Sequence, residues 1–242
     1  MQTLKSLLPA ALKCGLKRWR RRAFEAVGSG RFSRPALYGL DRKLEQHLDF
    51  AGGFFVEAGA NDGFTQSNTY HFECFRHWRG LLIEPVPMLA AECRLNRRVP
   101  VVEAALVARE SPGATVALQF AGLMSTVRGA LGDADTVARH VQKGLAAQNL
   151  PATYCLQVPA RTLSSILDEI GFSGPIDLLS LDVEGAEPEA LAGIDLARHA
   201  PRFICVEARR RGEIEACLGE LYEVAEILTD KGEYQDILYR RL

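Results

Sequence analysis

Three acidic residues, Glu57, Glu84 and Asp182, stand at the ends of three short apolar runs. The first run leads into two glycines, Gly59 and Gly63, which bracket a small turn-forming segment. Glycine adopts torsions that other residues avoid, so such a loop can lay its backbone against a bound ligand. Parallel strands bring their carboxyl ends to one edge of a doubly wound sheet, where nucleotides bind. The three acids therefore predict an enzyme with a nucleotide-type cofactor.

Two cofactor classes fit this glycine loop. A dinucleotide site requires Gly-x-Gly-x-x-Gly, but here Asn61 replaces the glycine that lets the pyrophosphate approach. S-adenosylmethionine carries no phosphate, and Asn61 can adopt left-handed torsions and offer a side-chain hydrogen bond. Glu57 suits the ammonium group of this cofactor, and Glu84 suits its two ribose hydroxyls. We therefore favour S-adenosylmethionine, with a dinucleotide-dependent oxidoreductase as an alternative.

The apolar runs and the helical segments between them predict the elements that position these acids. Strands are predicted at 54–58, 80–84, 101–107, 176–182 and 202–207, followed by a final pair at 222–228 and 234–240. Helices are predicted at 65–76, 88–96, 162–170 and 213–219. This alternation is typical of an α/β fold with a doubly wound, mostly parallel, Rossmann-like sheet of seven strands. The last pair predicts a C-terminal antiparallel hairpin.

Length and charge limit the organisation of the chain. Its 242 residues fit one α/β domain with an extension, and a net charge of −1 gives no general attraction to nucleic acid. We predict a basic helical N-terminal extension at 1–45 and a main domain at 46–242, with 111–152 as an insertion on the substrate side. The six cysteines are scattered, without a Cys-x-x-Cys pair, which argues against zinc and indicates a reducing, cytoplasmic location.

The first 22 residues carry seven basic side chains and no acid, with leucines and a tryptophan at roughly helical spacing. A secretory signal would place its charges before the apolar part, so we exclude a secretory signal peptide here. One interpretation is an amphipathic helix at 1–22 that contacts an anionic membrane, which would put the protein at the inner membrane face. The other is a helix packed on the domain, or a frayed basic terminus.

The sequence resembles the FkbM-type family of S-adenosylmethionine-dependent methyltransferases. The motifs that carry the resemblance are FVEAGANDG at 55–63, LIEP at 82–85 and, most specifically, LDVEGAE at 181–187. It covers about residues 45–240 and implies a class I methyltransferase fold with O-methylation of a sugar or small-molecule hydroxyl. The residues expected to bind the cofactor are Glu57, Gly59, Ala60, Asn61, Gly63, Glu84, Pro85, Ala105 and Asp182.

Methyl transfer to a hydroxyl needs help in removing its proton, from a base or a metal. Asp182 is the first candidate for the base, and Glu207 could join it around Mg²⁺, since carboxylates suit hard cations. His71 is a second candidate base because of its near-neutral pKa, although a histidine on a helix is more often structural. The expected partner is a small-molecule or glycan acceptor. The competing hypothesis is a noncatalytic module that docks to a membrane or partner through its basic leader.

Overall fold

The structure is a computed structural model that describes residues 10–242, without the side chains of 10–14 and 134. The strands are β1 (Phe54–Ala58), β2 (Arg79–Ile83), β3 (Val101–Val102), β4 (Ala105–Leu106), β5 (Thr115–Phe120), β6 (Thr126–Val127), β7 (Tyr154–Arg161), β8 (Leu178–Leu181), β9 (Phe203–Ala208), β10 (Tyr222–Asp230) and β11 (Gln235–Arg241). The α-helices are α1 (Ala10–Ala26), α2 (Leu40–His47), α3 (Tyr70–Phe75), α4 (Pro87–Asn96), α5 (Ala134–Gln148), α6 (Leu163–Glu169), α7 (Glu187–Ala192), α8 (Leu196–His199) and α9 (Arg211–Leu218). Short 3₁₀ turns occupy Leu37–Gly39, Gly122–Met124 and Gly219–Leu221.

Seven strands form the central sheet, in the order β10-β11-β9-β8-β1-β2-β3. The pairs among β3, β2, β1, β8 and β9 are parallel, whereas β11 runs antiparallel to both β9 and β10. The predicted mostly parallel sheet of seven strands and its C-terminal hairpin are therefore confirmed. The antiparallel strand β11 lies inside the sheet, because β10 forms the edge.

Both faces of this sheet are covered, as a doubly wound fold requires. Along β1, Val56 packs into one apolar cluster together with α6, α7 and α9. Its neighbour Phe55 packs into a second cluster on the opposite face, with α2, α3 and α4. Successive side chains of a strand point to opposite faces, and a strand buried on both faces has a continuous apolar run. The apolar runs of the strands end at the carboxyl edge of the central sheet, where Glu57, Glu84 and Asp182 lie.

A second, smaller sheet has the order β4-β7-β5-β6. The strand predicted at 101–107 is wrong in its extent, because the chain divides it between the two sheets. After Val102, the Glu103 carboxylate accepts a hydrogen bond from Arg94 of α4 at 2.6 Å. Ala105 and Leu106 then pair with β7 instead of continuing beside β2. The small sheet places most of the segment 111–152 beside the carboxyl edge of the central sheet.

The helix predicted at 65–76 is also shorter in the structure, where it covers only Tyr70–Phe75. The Glu57 carboxylate accepts hydrogen bonds from the Ser67 hydroxyl, the Asn68 N–H and the Thr69 hydroxyl at 2.6–2.9 Å. These bonds hold residues 65–69 as a loop, because their polar groups are satisfied by the strand-end acid instead of by helical partners.

Helix α1 packs on the domain through its basic side chains. Arg18 donates to Glu92 of α4 at 2.5 Å, and Arg21 donates to the side chain of Asn96 at 2.9 Å. The leader predicted as a helix is thus helical from Ala10 on, whereas residues 1–9 lie outside the described part of the chain. In that described part, no helix combines the length and the apolar character needed to cross a membrane.

Candidate active site

A cavity opens at the carboxyl ends of β1, β2, β4 and β8, and we call it the first cavity. Of the predicted cofactor residues, it is lined by Glu57, Gly59, Ala60, Asn61, Glu84, Pro85, Ala105 and Asp182. Leu89, Leu106, Leu118 and Val127 add an apolar side to it. Its described lining contains four carboxylates but no arginine, lysine or histidine. Such a cavity suits a cationic ligand with an apolar ring system and disfavours a pyrophosphate.

Glu84 ties the ends of the first two strands together. It is 4% exposed, and its two carboxylate oxygens accept hydrogen bonds from the Asn61 N–H at 2.8 Å and the Val86 N–H at 2.9 Å. Burial raises the pKa of Glu84 to about 7. The backbone of Asn61 is left-handed, with φ 50°, in agreement with the sequence-based prediction. The acid is thus held in one orientation, with acceptor capacity left for a hydroxyl pair.

The two glycines of the loop permit close packing within the fold, and Gly59 also lines the first cavity with its backbone. Gly59 has φ 80°, and a Cβ atom there would lie 1.7 Å from the carbonyl oxygen of Asp182. The space on the Cβ side of Gly59 is therefore filled by the end of β8 and not by a ligand, while its backbone remains open to the first cavity. Gly63 does not line the first cavity, because its carbonyl accepts a hydrogen bond from buried Arg97 and its Cβ would meet that side chain.

Glu57 reaches the first cavity, but hydrogen bonds occupy its carboxylate. Besides the loop 65–69, Arg97 donates to it at 3.1 Å from a side chain with no exposed surface. A buried charge of this kind is tolerated only when it is paired and hydrogen-bonded. The bonds of Glu57 also fix the position of Asn68 at the site. The amide nitrogen of Asn68 donates to the Ser180 hydroxyl at 3.1 Å. Its amide oxygen is buried without a partner, so it is available to an ammonium group in the first cavity.

The loop after β8 presents the acids of the LDVEGAE motif. Glu187 is fully buried, and one carboxylate oxygen accepts hydrogen bonds from the N–H groups of Val183 and Gly185 at 3.1 and 3.0 Å. Glu184 is held at φ 52°, a torsion uncommon outside glycine and found at functional sites. Asp182 has one carboxylate oxygen, Oδ1, that is buried without a hydrogen-bond partner. Glu187 therefore holds the conformation of the loop, and the loop places the Asp182 and Glu184 carboxylates at the site.

A second cavity adjoins the first at the ends of β8 and β9. The two cavities share Gln66, Asn68, Leu123, Asp182 and Glu184. The second is also lined by Tyr38, Gln148, Glu207, Arg209, Tyr234 and Asp236. Leu123 and Gln148 belong to the segment 111–152, so this segment contributes to the wall of both cavities. Asp182 stands at the boundary between a cavity for a cationic cofactor and one lined by hydrogen-bonding side chains.

Asp182, Glu184 and Glu207 form a carboxyl cluster in which one oxygen of each lies within 4.8 Å of the others. Such a group can hold a metal ion, but here Arg209 already lies 3.0 Å from Glu184 and 2.6 Å from Glu207. The guanidinium supplies the positive charge that Mg²⁺ would bring to Asp182 and Glu207, so the magnesium hypothesis gains no support beyond this grouping.

The electrostatic environment of the carboxyl cluster favours a state in which the cluster keeps a proton at neutral pH. Burial, followed by the Asp236 carboxylate, raises the pKa of Asp182 to about 6. Burial, followed by the Asp182 and Glu184 carboxylates, raises the pKa of Glu207 far above its usual range. Carboxylates this close cannot all ionise at neutral pH, so the cluster shares a proton. Asp182, with the lower of these two pKa values, is the better candidate for a base.

The structure does not bring His71 to this cluster. It lies on α3, outside both cavities, with its ring stacked on Phe75 and its Nε2 atom 2.8 Å from Arg34. Burial, followed by Arg34, lowers the pKa of His71, so the environment keeps the ring neutral. His71 is therefore a packed polar residue, and the expectation of a catalytic role needs correction.

Several site residues escaped the sequence-based reasoning about the site. Asn68, Tyr38 and Tyr234 line the cavities but were given no role there. Asn68 belongs to the polar QSNT segment at 66–69, which was assigned as a whole to the helix predicted at 65–76. Tyr38 and Tyr234 come from opposite ends of the chain, so no local pattern could join them.

Comparisons with known proteins bear on this arrangement. The family model for the methyltransferase FkbM domain matches residues 57–234, and none of the curated proteins matches the sequence. A methyltransferase FkbM from Methylobacillus flagellatus is similar at 14% identity and TM-score 0.46, over 78% of this chain and 43% of that one. A TehB-like methyltransferase from Corynebacterium glutamicum is similar at 13% identity and TM-score 0.45, over 97% of this chain and the whole of that one.

The family model spans most of the chain, from the last two residues of β1 to the turn between β10 and β11. That sheet has the strand order of class I methyltransferases, with helices on both faces. The residues of the first cavity fit S-adenosylmethionine, because Glu84 could accept hydrogen bonds from a ribose hydroxyl pair and the unpartnered amide oxygen of Asn68 could accept from an ammonium group. The chain belongs to the FkbM family of S-adenosylmethionine-dependent methyltransferases.

Proposed function

We propose that this protein transfers a methyl group to a hydroxyl of a sugar, a glycan or a glycolipid-like small molecule. The observation that carries the proposal is the unpartnered Oδ1 atom of Asp182 at the boundary of the two cavities. The second cavity surrounds that atom with carboxyl, amide and phenol groups, which bind hydroxyls by donating and accepting hydrogen bonds. Polyhydroxylated acceptors suit such a lining better than apolar ones do.

The residues of the chain divide the work of this reaction. When bound, S-adenosylmethionine would supply an electrophilic methyl group, whose bond to sulfur breaks as the bond to oxygen forms, with S-adenosylhomocysteine as the leaving group. Glu84 would hold the ribose of the cofactor, and Asn68 would hold its ammonium group. Asp182 accepts a hydrogen bond from the acceptor hydroxyl and takes its proton as the new C–O bond forms. Although burial raises the pKa of Asp182, the Arg209 guanidinium lowers it and so favours release of the proton to solvent after each turnover.

The direct test is transfer of an isotopically labelled methyl group from S-adenosylmethionine to extracts of cell-envelope glycans and small metabolites. We expect label in a compound that is lighter by one CH₂ in a deletion strain, at an oxygen atom located by mass spectrometry. Label on nitrogen, sulfur or carbon would contradict the proposed reaction. Absence of cofactor binding by calorimetry at millimolar concentration would favour the noncatalytic module instead.

The Glu84→Gln variant should bind S-adenosylmethionine at least about tenfold more weakly, because an amide nitrogen would face one of the two backbone N–H groups. In the wild-type protein, affinity should rise with pH through about 7 and then level, since the hydroxyl donors of the ribose favour the ionised acid. Calorimetry over this pH range measures both effects. Glu92→Gln on the surface of α4 is the matched control, and an equal loss there would contradict the role of Glu84.

Tyr38 is expected to contact the acceptor. It lines the second cavity with 44% of its surface exposed, at φ 52°, while the Lys231 ammonium lies 3.6 Å from its ring centre. A bulky residue in this torsion is strained, and such strain concentrates at binding sites. Its flat ring offers a surface for a sugar ring.

The Tyr38→Gly variant should therefore raise KM for the acceptor about tenfold while relieving the backbone strain. The Kd for S-adenosylmethionine should stay unchanged, and Tm should be equal or higher. The matched control is Tyr154→Ala, which removes another tyrosine with 44% exposure outside both cavities. An unchanged KM in Tyr38→Gly would remove this residue from acceptor binding.

A further inference from the structure

Helix α1 has an exposed apolar face that the domain does not use. Trp19 is 71% exposed, Leu16 is 49% exposed, and Val27, directly after the helix, is 79% exposed. Residues three and four positions apart lie on the same side of a helix. Leu16, Trp19, Ala23 and Val27 therefore form one stripe, which we call the outer face of α1. An exposed tryptophan within an apolar stripe marks an interaction surface.

The opposite face fixes the orientation of this stripe. Arg21 is 5% exposed, with its guanidinium carbon 3.7 Å above the centre of the Phe64 ring. Glu25 accepts hydrogen bonds from the Ser33 hydroxyl at 2.6 Å and the Tyr70 hydroxyl at 2.9 Å. Turning the outer face toward the domain would break these contacts. The stripe is therefore held outward by the packing of the helix.

Positive charge flanks the stripe. Lys17, Arg20, Arg22 and Arg31 are exposed around it, and none of the ion pairs described for residues 15–242 involves Lys17 or Arg20. The first 22 residues of the sequence contain seven basic residues and no acid. An apolar stripe with tryptophan, flanked by lysine and arginine, is the composition of helices that lie in the interface of an anionic bilayer. Nucleic acid would match the charge but would leave the apolar stripe uncovered.

We propose that the outer face of α1 binds the surface of an anionic lipid bilayer. The contact would lie near the first cavity, because Asn96 of α4 accepts from Arg21 and donates to the carbonyl oxygen of Asp62 in the glycine loop. A bilayer on this side would hold the catalytic edge close to acceptors that carry a lipid. The surface itself is independent of which hydroxyl is methylated, so each proposal can fail without the other.

The 242-residue chain contains two tryptophans, which makes the contact visible by fluorescence. Trp78 is 2% exposed, so Trp19 provides the signal that solvent can change. Vesicles of phosphatidylcholine with phosphatidylglycerol should shift the emission to shorter wavelength and protect it from acrylamide. The same vesicles should leave the Trp19→Phe variant unchanged. Absence of a shift in the wild-type protein, or an equal shift in the variant, would overturn the proposal.

Co-sedimentation with vesicles tests the charges. The double variant Lys17→Gln with Arg20→Gln should bind phosphatidylglycerol vesicles about tenfold more weakly or worse, since each basic residue near an anionic surface strengthens binding. The matched control is Arg240→Gln with Arg241→Gln, which removes two exposed charges from β11 and should bind as the wild type does. Equal losses in both, equal binding to pure phosphatidylcholine, or binding only to nucleic acid would overturn the proposal.

Discussion

Asp182→Asn should lower kcat by about 10²–10⁴-fold, the usual contribution of a positioned base, and leave the Kd for S-adenosylmethionine nearly unchanged. The amide has the shape of the acid but cannot take the proton of the acceptor hydroxyl. Measurement requires the acceptor found by the labelled-methyl screen, with calorimetry for the cofactor. Asp168→Asn, an exposed acid on α6, is the control. Normal turnover in Asp182→Asn would remove this residue from the chemistry.

The pH profile gives a second measurement of the same role. Burial, followed by the Asp236 carboxylate, raises the pKa of Asp182 to about 6. A base works only when ionised, so kcat should rise with pH through about 6 and level above it. Asp236→Asn removes one cause of the raised pKa and should move the rise to lower pH. A profile that is flat through this range, or unmoved by the variant, would contradict the assignment.

Gly59→Val is expected to abolish cofactor binding and to destabilise the fold by about 3 kcal/mol or more, from the unfavourable torsion and the overpacking together. The new Cβ would meet the carbonyl oxygen of Asp182 at 1.7 Å, so β8 could no longer close against the glycine loop. Thermal or urea unfolding measures the stability, and calorimetry measures the binding.

The control for this variant is Gly171→Val. Gly171 also has a positive φ, at 64°, but no atom lies within 4 Å of its Cβ position. It therefore reports the cost of the torsion without the collision. If Gly59→Val were no more harmful than Gly171→Val, the close approach of β8 would not be the reason for the glycine.

Local patterns were enough to predict the strands that carry the site. The apolar runs at 54–58 and 80–84 are observed as Phe54–Ala58 and Arg79–Ile83, because strands buried on both faces have uninterrupted apolar sequences. The left-handed torsion of Asn61 also follows from its side-chain chemistry. The positions of Glu84 and Asp182 at one edge follow in turn from the parallel order of the strands.

The features that local sequence patterns did not predict depend on contacts between distant parts of the chain. The helix predicted from Thr65 fails because Glu57 captures the polar groups of 65–69, and Arg97, 40 residues along the chain from Glu57, closes that arrangement. Strand 101–107 divides because β7, which was not predicted, offers a new partner to Ala105. His71 was considered for its pKa alone, and its packing against Arg34 is a long-range feature.

Among the described strands, those of the small sheet pair only with one another. The loop between β5 and β6 places Leu123 in the lining of both cavities. The two sheets thus have separate strand pairing, and the Thr126 hydroxyl of β6 links them by donating to the carbonyl oxygen of Glu184 at 2.8 Å. The segment 111–152 can therefore change its sequence without altering the strand pairing of the central sheet. Chimaeras that replace 111–152 with the segment of a relative are therefore a rational route to new acceptor specificity.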